Sequence, residues 1–93
     1  MNRKLIHSAG FVRAARRFVK RQPHMLNEIR DTLLLMERDA FDPKLRTHKL
    51  KGDLAGTWSC NAGYDLRIVF EFVEQEGSQA ILLLSVGTHD EVY

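Results

Sequence analysis

The sequence predicts an α+β domain in which an N-terminal helical hairpin packs on one face of a small antiparallel sheet, in the order βααβββ. Three observations carry that expectation. Apolar residues recur three and four apart from Phe11 to Ala40, the spacing of a helix face. From Gly52 onward the period falls to two, the mark of strands with one buried side. The chain has 93 residues, 44% hydrophobic and 28% charged, enough for one core and too few for two, so residues 1–93 read as a single domain.

Taken in order, Lys4-Leu5-Ile6-His7 is a short edge strand. Ser8 is placed to cap a helix, because its hydroxyl can take a free N–H of the first turn. Phe11, Val12, Ala15, Phe18 and Val19 give that helix an apolar stripe. Arg13, Arg16, Arg17, Lys20 and Arg21 stand on its other side at the same spacing, where like charges repel by about a few tenths of a kcal/mol per pair. Gln22-Pro23 closes this helix and opens a second, since proline is tolerated in a first turn. Met25, Ile29, Leu33, Met36 and Ala40 make its buried stripe, widened by Leu26 and Leu34. Asp42-Pro43 ends the hairpin, and the segment to Lys51 reads as an irregular connection.

Gly52 and Gly56 then flank a turn, Thr57–Asn61 is a short strand, and Ala62-Gly63-Tyr64-Asp65 turns again. Ile68, Phe70 and Phe72 alternate with Arg67, Val69 and Glu71, a strand with one buried face. Glu76-Gly77-Ser78 is a hairpin loop. Ala80–Val86 is apolar nearly throughout, as in a central strand covered on both sides. Helices on one side leave the other sheet face open. Arg67 and groups at strand ends can line that face, with His48, Asp65 and His89 at its rim.

The net charge of +2 conceals a polarity along the chain. Residues 1–51 hold thirteen Lys/Arg against five Asp/Glu, and residues 52–93 hold one against seven. Two readings of the basic half stand: a solvated face, or a surface that meets RNA or an acidic protein. No apolar run approaches the roughly 18 residues of a membrane span, and no signal-peptide core follows Met1-Asn2-Arg3-Lys4, so a cytoplasmic protein is expected. The lone Cys60 cannot form an internal disulfide. His7, His24, His48, His89 and Cys60 lack ligand spacing, so a metal site is not expected.

His48-x-Leu50-x-Gly52, Asp65 in the turn before a strand, and Gly87-Thr88-His89 followed by an aromatic resemble the YafQ branch of the RelE/ParE superfamily, the small toxins of type II toxin–antitoxin systems. Arg67-Ile68-Val69-Phe70 and Ser85-Val86-Gly87, with Glu91-Val92-Tyr93, resemble its RelE branch. The resemblance implies a RelE-like fold and a ribosome-dependent endoribonuclease that cuts mRNA in the A site, needs no cofactor and is silenced by a cognate antitoxin protein. In that chemistry a ribose 2′-OH attacks its own phosphate. A base takes the 2′ proton, a cation stabilises the phosphorane, and an acid protonates the leaving 5′ oxygen.

Carried over residue by residue, the resemblance makes His89 the general acid and His48 the base, with Asp65 orienting it or taking the proton. Histidine suits both tasks because its ordinary pKa is about 6.5. Arg67 clamps the phosphate with its planar fork. Tyr93 stacks on or positions a base, Lys49 and Lys51 add phosphate contacts, and Arg13, Arg16, Arg17 and Lys20 offer a face to RNA or to acidic antitoxin residues. The chain also departs from the pattern: Ser59 and Asn61 stand where YafQ-type proteins carry an acid and a histidine, and Ser85 where they carry an arginine. Plainer roles remain open for five of these residues: His89 and His48 as histidines without function, Asp65 as a hairpin cap, Arg67 as an ion-pair partner of Glu71, and Tyr93 as a core-edge aromatic. Two other functions remain open as well. One is a ParE-like inhibitor of DNA gyrase, against which His48 and His89 argue because it needs no acid–base pair. The other is a catalytically inactive relative that keeps only antitoxin binding.

Overall fold

Ser8 divides the first strand from the first helix. In the computed structural model, which describes residues 2–93 and leaves Met1 outside, β1 (Leu5–His7) ends there, and the Ser8 hydroxyl accepts from Phe11 N at 3.0 Å to cap α1 (Ala9–Arg21). Such a cap contributes about 1 kcal/mol. Pro23 opens a single 3-10 turn that leads directly into α2 (Leu26–Arg38). The remaining elements are β2 (His48–Lys49), β3 (Trp58–Ala62), β4 (Leu66–Gln75), β5 (Ser78–Thr88) and the short α3 (His89–Val92). The fold is therefore α+β, with helices packed on a sheet as the sequence predicts.

The sheet has five strands in the order β1-β5-β4-β3-β2. From β5 to β2 every pairing is antiparallel, but β1 lies parallel to β5, with Leu5 opposite Ile81. The sheet is antiparallel as expected from β5 to β2, and the edge strand β1 is the exception. A three-residue strand carries no pattern that specifies its direction. Two further elements fall where none is expected. β2 occupies the segment read as an irregular connection, and α3 begins at His89, beyond the last strand the sequence predicts.

Phe11, Phe18, Ile29 and Met36 from the helices pack against Ile68, Phe70, Ile81, Leu83 and Val86. The stripe of α2 differs from expectation: Leu26 and Leu34 are exposed, and Thr32 is buried in their place. Thr32 can sit there because its hydroxyl donates to the Glu28 carbonyl at 2.8 Å, leaving no polar group unpaired. The unbroken apolar run in β5 has a second cause besides burial. Val69 pairs with Ser85 while Phe70 pairs with Leu83, so Leu84 is an extra residue that shifts the alternation. Val86 and Leu83 both reach the core as a result. None of the described helices is long and apolar enough to cross a membrane.

Candidate active site

Strand pairing sets the floor of the site. Side chains directly opposite one another in a sheet share a face about 5 Å apart. His48, Ser59, Val69 and Ser85 form one such row across β2, β3, β4 and β5; Asn61, Arg67 and Gly87 form the next. The intervening residues Cys60, Ile68 and Val86 point into the core, so this row pair occupies the face away from the helical hairpin.

α3 folds back over that face from the end of β5. Thr88 and Glu91 form a capping box, with Glu91 Oε1 accepting from Thr88 N at 2.8 Å, while Glu91 Oε2 accepts from Arg21 at 2.6 Å. These donors, the Thr88 N–H first and Arg21 second, hold the Glu91 carboxyl below its usual range. Gly87 permits the close approach: a Cβ there would stand 3.0 Å from Glu91 Oε1 and 3.2 Å from Glu91 Cβ. The next turn carries Tyr93 across to β3, where its hydroxyl donates to the fully buried Ser59 hydroxyl. His89 lies edge-to-face on the Tyr93 ring, with centroids 4.6 Å apart, and its Nδ1 is 3.4 Å from Asp90 Oδ1.

The result is an open cavity of about 360 Å³ lined by Arg46, His48, Asn61, Arg67, His89 and Tyr93. Two guanidinium groups, two imidazoles, an amide and a phenol make a lining with no carboxylate, suited to an anion. Arg67 donates to the carbonyls of Leu66 at 3.1 Å and Tyr64 at 3.4 Å, and among the described residues it makes no ion pair with Glu71 or any other acid. Its charge is held in place without being neutralised. His48 Nδ1 lies 2.8 Å from the Arg46 carbonyl. A carbonyl only accepts, so Nδ1 carries the hydrogen and Nε2 of the neutral ring is the nitrogen left to take a proton.

Four of the residues singled out from sequence, His48, Arg67, His89 and Tyr93, thus converge on one cavity. Others do not join them. Asp65 borders a different cavity of about 430 Å³ with Phe18, Met25, Glu28 and Thr88, and accepts no hydrogen bond in its turn among the described residues. The turn swings toward α2 because Gly63, at φ 74°, packs against the Glu28 side chain. Lys49 sits opposite Trp58 and places its Nζ 5.5 Å from that ring, on the far side of the sheet from His48. Lys51 lies exposed beyond β2, and Arg13, Arg16, Arg17 and Lys20 are exposed along α1. Ser59 and Asn61, noted in the sequence as departures, are both part of the site, one beneath Tyr93 and one in the cavity wall. Arg46 has no signal in the sequence reading, because its place depends on a backbone conformation rather than on a motif.

Residues 3–93 match the family model described as the bacterial toxin of type II toxin–antitoxin systems, YafQ. The chain belongs to the YafQ family. Among curated proteins none matches it. Solved structures of similar fold include YafQ from E. coli strain BL21(DE3), 12% identical, with a TM-score of 0.79 over 98% of each chain. Another is the YoeB/ParE toxin from Agrobacterium tumefaciens, 22% identical, with a TM-score of 0.73 over 92% of this chain and 98% of that one. A third is the E. coli DinJ–YafQ toxin–antitoxin complex, 13% identical, with a TM-score of 0.76 over 100% of this chain and 99% of that one. This YafQ-family chain is therefore the toxin of a type II toxin–antitoxin system.

Proposed function

We propose that this YafQ-family toxin is a ribosome-dependent mRNA endonuclease. The observation that supports it is the convergence of His48, Arg67, His89 and Tyr93 on one open, cationic cavity. Seated there, a phosphodiester is attacked by its own 2′ oxygen. The O2′–P bond forms and the P–O5′ bond breaks; His48 Nε2 takes the 2′ proton, and His89 gives one to the departing 5′ oxygen. Arg67 meets the two equatorial oxygens as their charge grows, and Tyr93 supports the adjacent base. Asp65 borders the other cavity and Lys49 lies against Trp58, so neither of them is assigned this step. The partners are mRNA in the ribosomal A site and, in the cytoplasm, a cognate antitoxin, as E. coli YafQ has in DinJ.

Expression of the wild type and of His89→Ala, followed by primer extension on mRNA with purified ribosomes, tests the proposal. Wild type should arrest growth and leave cuts at A-site codons. Loss of the acid should slow cleavage by about a hundredfold or more. Growth arrest that persists in His89→Ala would instead point to a binding poison of the gyrase-inhibitor kind. A wild type that binds antitoxin and cuts nothing is the inactive relative.

A further inference from the structure

Among the described residues, Arg46 and Glu76 alone hold a left-handed backbone without being glycine, at φ 50° and 52°. Glu76 belongs to the β4–β5 hairpin turn beside Gly77, where such angles are demanded. Arg46 ends the 3-10 turn Pro43–Leu45, a place that glycine or asparagine ordinarily takes. Neither of those would bring a charge. The left-handed turn presents the Arg46 carbonyl to His48 Nδ1 at 2.8 Å, while the Arg46 side chain lines the same cavity as Arg67 and His89. Its guanidinium has no ion pair or hydrogen bond among the described residues, so its donors are open to a ligand.

We infer that Arg46 serves the site twice: its carbonyl holds His48 in the tautomer that leaves Nε2 free for the 2′ proton, and its guanidinium binds a phosphate of the RNA strand. The second role gives the cavity a cation in addition to Arg67. Arg46 acts as a positioning residue through its backbone and as a substrate-binding residue through its side chain. This rests on the nuclease reading and adds to it a contact that no motif in the chain announces.

Two substitutions separate the roles. Arg46→Gly removes the guanidinium and keeps the left-handed backbone; Arg46→Val removes the guanidinium and resists that backbone. The probe is a hexanucleotide of RNA with 2′-O-methyl groups, which cannot be cut, titrated at several salt concentrations. Arg46→Gly should bind it about tenfold more weakly, with the slope of log K against log salt reduced by about 0.7, the share of one phosphate contact on a single strand. Arg46→Lys should recover part of the loss. Nitrogen-15 NMR should find the His48 hydrogen on Nδ1 in wild type and in Arg46→Gly, and a mixture of tautomers in Arg46→Val. First-order cleavage on ribosomes should be slower in Arg46→Val than in Arg46→Gly by about tenfold, part of what a positioned base supplies.

Wild-type affinity and slope in Arg46→Gly would overturn the phosphate contact, and a wild-type His48 carrying its hydrogen on Nε2 would overturn the tautomer role. If wild type cuts mRNA and Arg46→Gly cuts it equally well, Arg46 alone is removed. If wild type neither binds the hexanucleotide nor cuts mRNA, the nuclease reading fails and this inference with it.

Discussion

Cys60 lies on β3 between Ser59 and Asn61, two residues of the site, yet its thiol is turned into the core. There it is fully buried beside Met36, with the sulfurs 3.6 Å apart. Burial pushes its pKa up to about 12, and the nearby Arg67 charge only partly offsets that. The native protein should therefore resist alkylation at neutral pH, while denaturant should expose one reactive thiol. The sign of the pH effect follows. The stabilising contribution is complete below the unfolded thiol pKa of about 8.5 and is lost as pH rises from there toward 12. Denaturant titrations on either side of pH 8.5, compared with a Cys60→Ala control, measure it. Residue types announced much of the cavity: His48, Arg67, His89 and Tyr93 are all legible in sequence. Lys49 and Asp65 lie outside the cavity for local reasons. Lys49 is one residue from His48, and in a strand one residue means the opposite face. Asp65 sits in a turn whose direction depends on how Gly63 packs on Glu28, a contact far apart in sequence.

Among the elements, α3 decides how well the site is built, because it carries His89 and is followed by Tyr93. Its hold on the sheet face depends on Gly87 lacking a side chain. Gly87→Ala should leave the fold intact but displace α3 by a few tenths of an ångström; on the proposed function this lowers cleavage far more than stability, and parallel thermal melts and ribosome assays distinguish the two. Glu91 ties the same helix to Arg21, and its lowered carboxyl pKa means the tie is present above the unfolded value and lost as pH falls through the folded one. On acidification the His89 and Tyr93 ring resonances should lose their mutual contact before the core melts. The pair is exposed, so Glu91→Gln should cost less than about 1 kcal/mol of global stability. Four residues are too few to show a helical period. The capping-box spacing of Thr88 and Glu91 was nevertheless present in the sequence and is the signal that could have revealed the element.

Across the whole molecule, the two-layer arrangement was legible because long segments dominate it: α1 and β4 show their periods plainly, and β5 shows itself by an unbroken apolar run. The direction of β1 and the existence of β2 were not, since three and two residues contain no period. The basic surface belongs to this scale too. Arg13, Arg16, Arg17 and Lys20 stay exposed along α1, in the layer on the other side of the sheet from the cationic cavity. On the proposed function, ribosome association should fall steeply as salt rises, and reversing Arg16 and Arg17 to glutamate should abolish it. Sedimentation with ribosomes at several salt concentrations checks both outcomes, and unchanged association would leave α1 with a merely hydrated face. The core is less tolerant. Phe70→Ala, at a fully buried position, should cost about 3–5 kcal/mol, read from chemical denaturation.

The parallel pairing of β1 with β5 has a temporal consequence. Leu5 has no strand partner until Ile81 has been made, and α1, which packs mainly on β5, waits with it. On a translating ribosome the amino-terminal strand and the greasy side of its helix therefore emerge long before the strand that covers most of them. The domain snaps together late rather than growing from one end. A nascent chain stopped short of Ile81 also lacks His89 and Tyr93, so in this reading a half-made toxin is both unfolded and harmless.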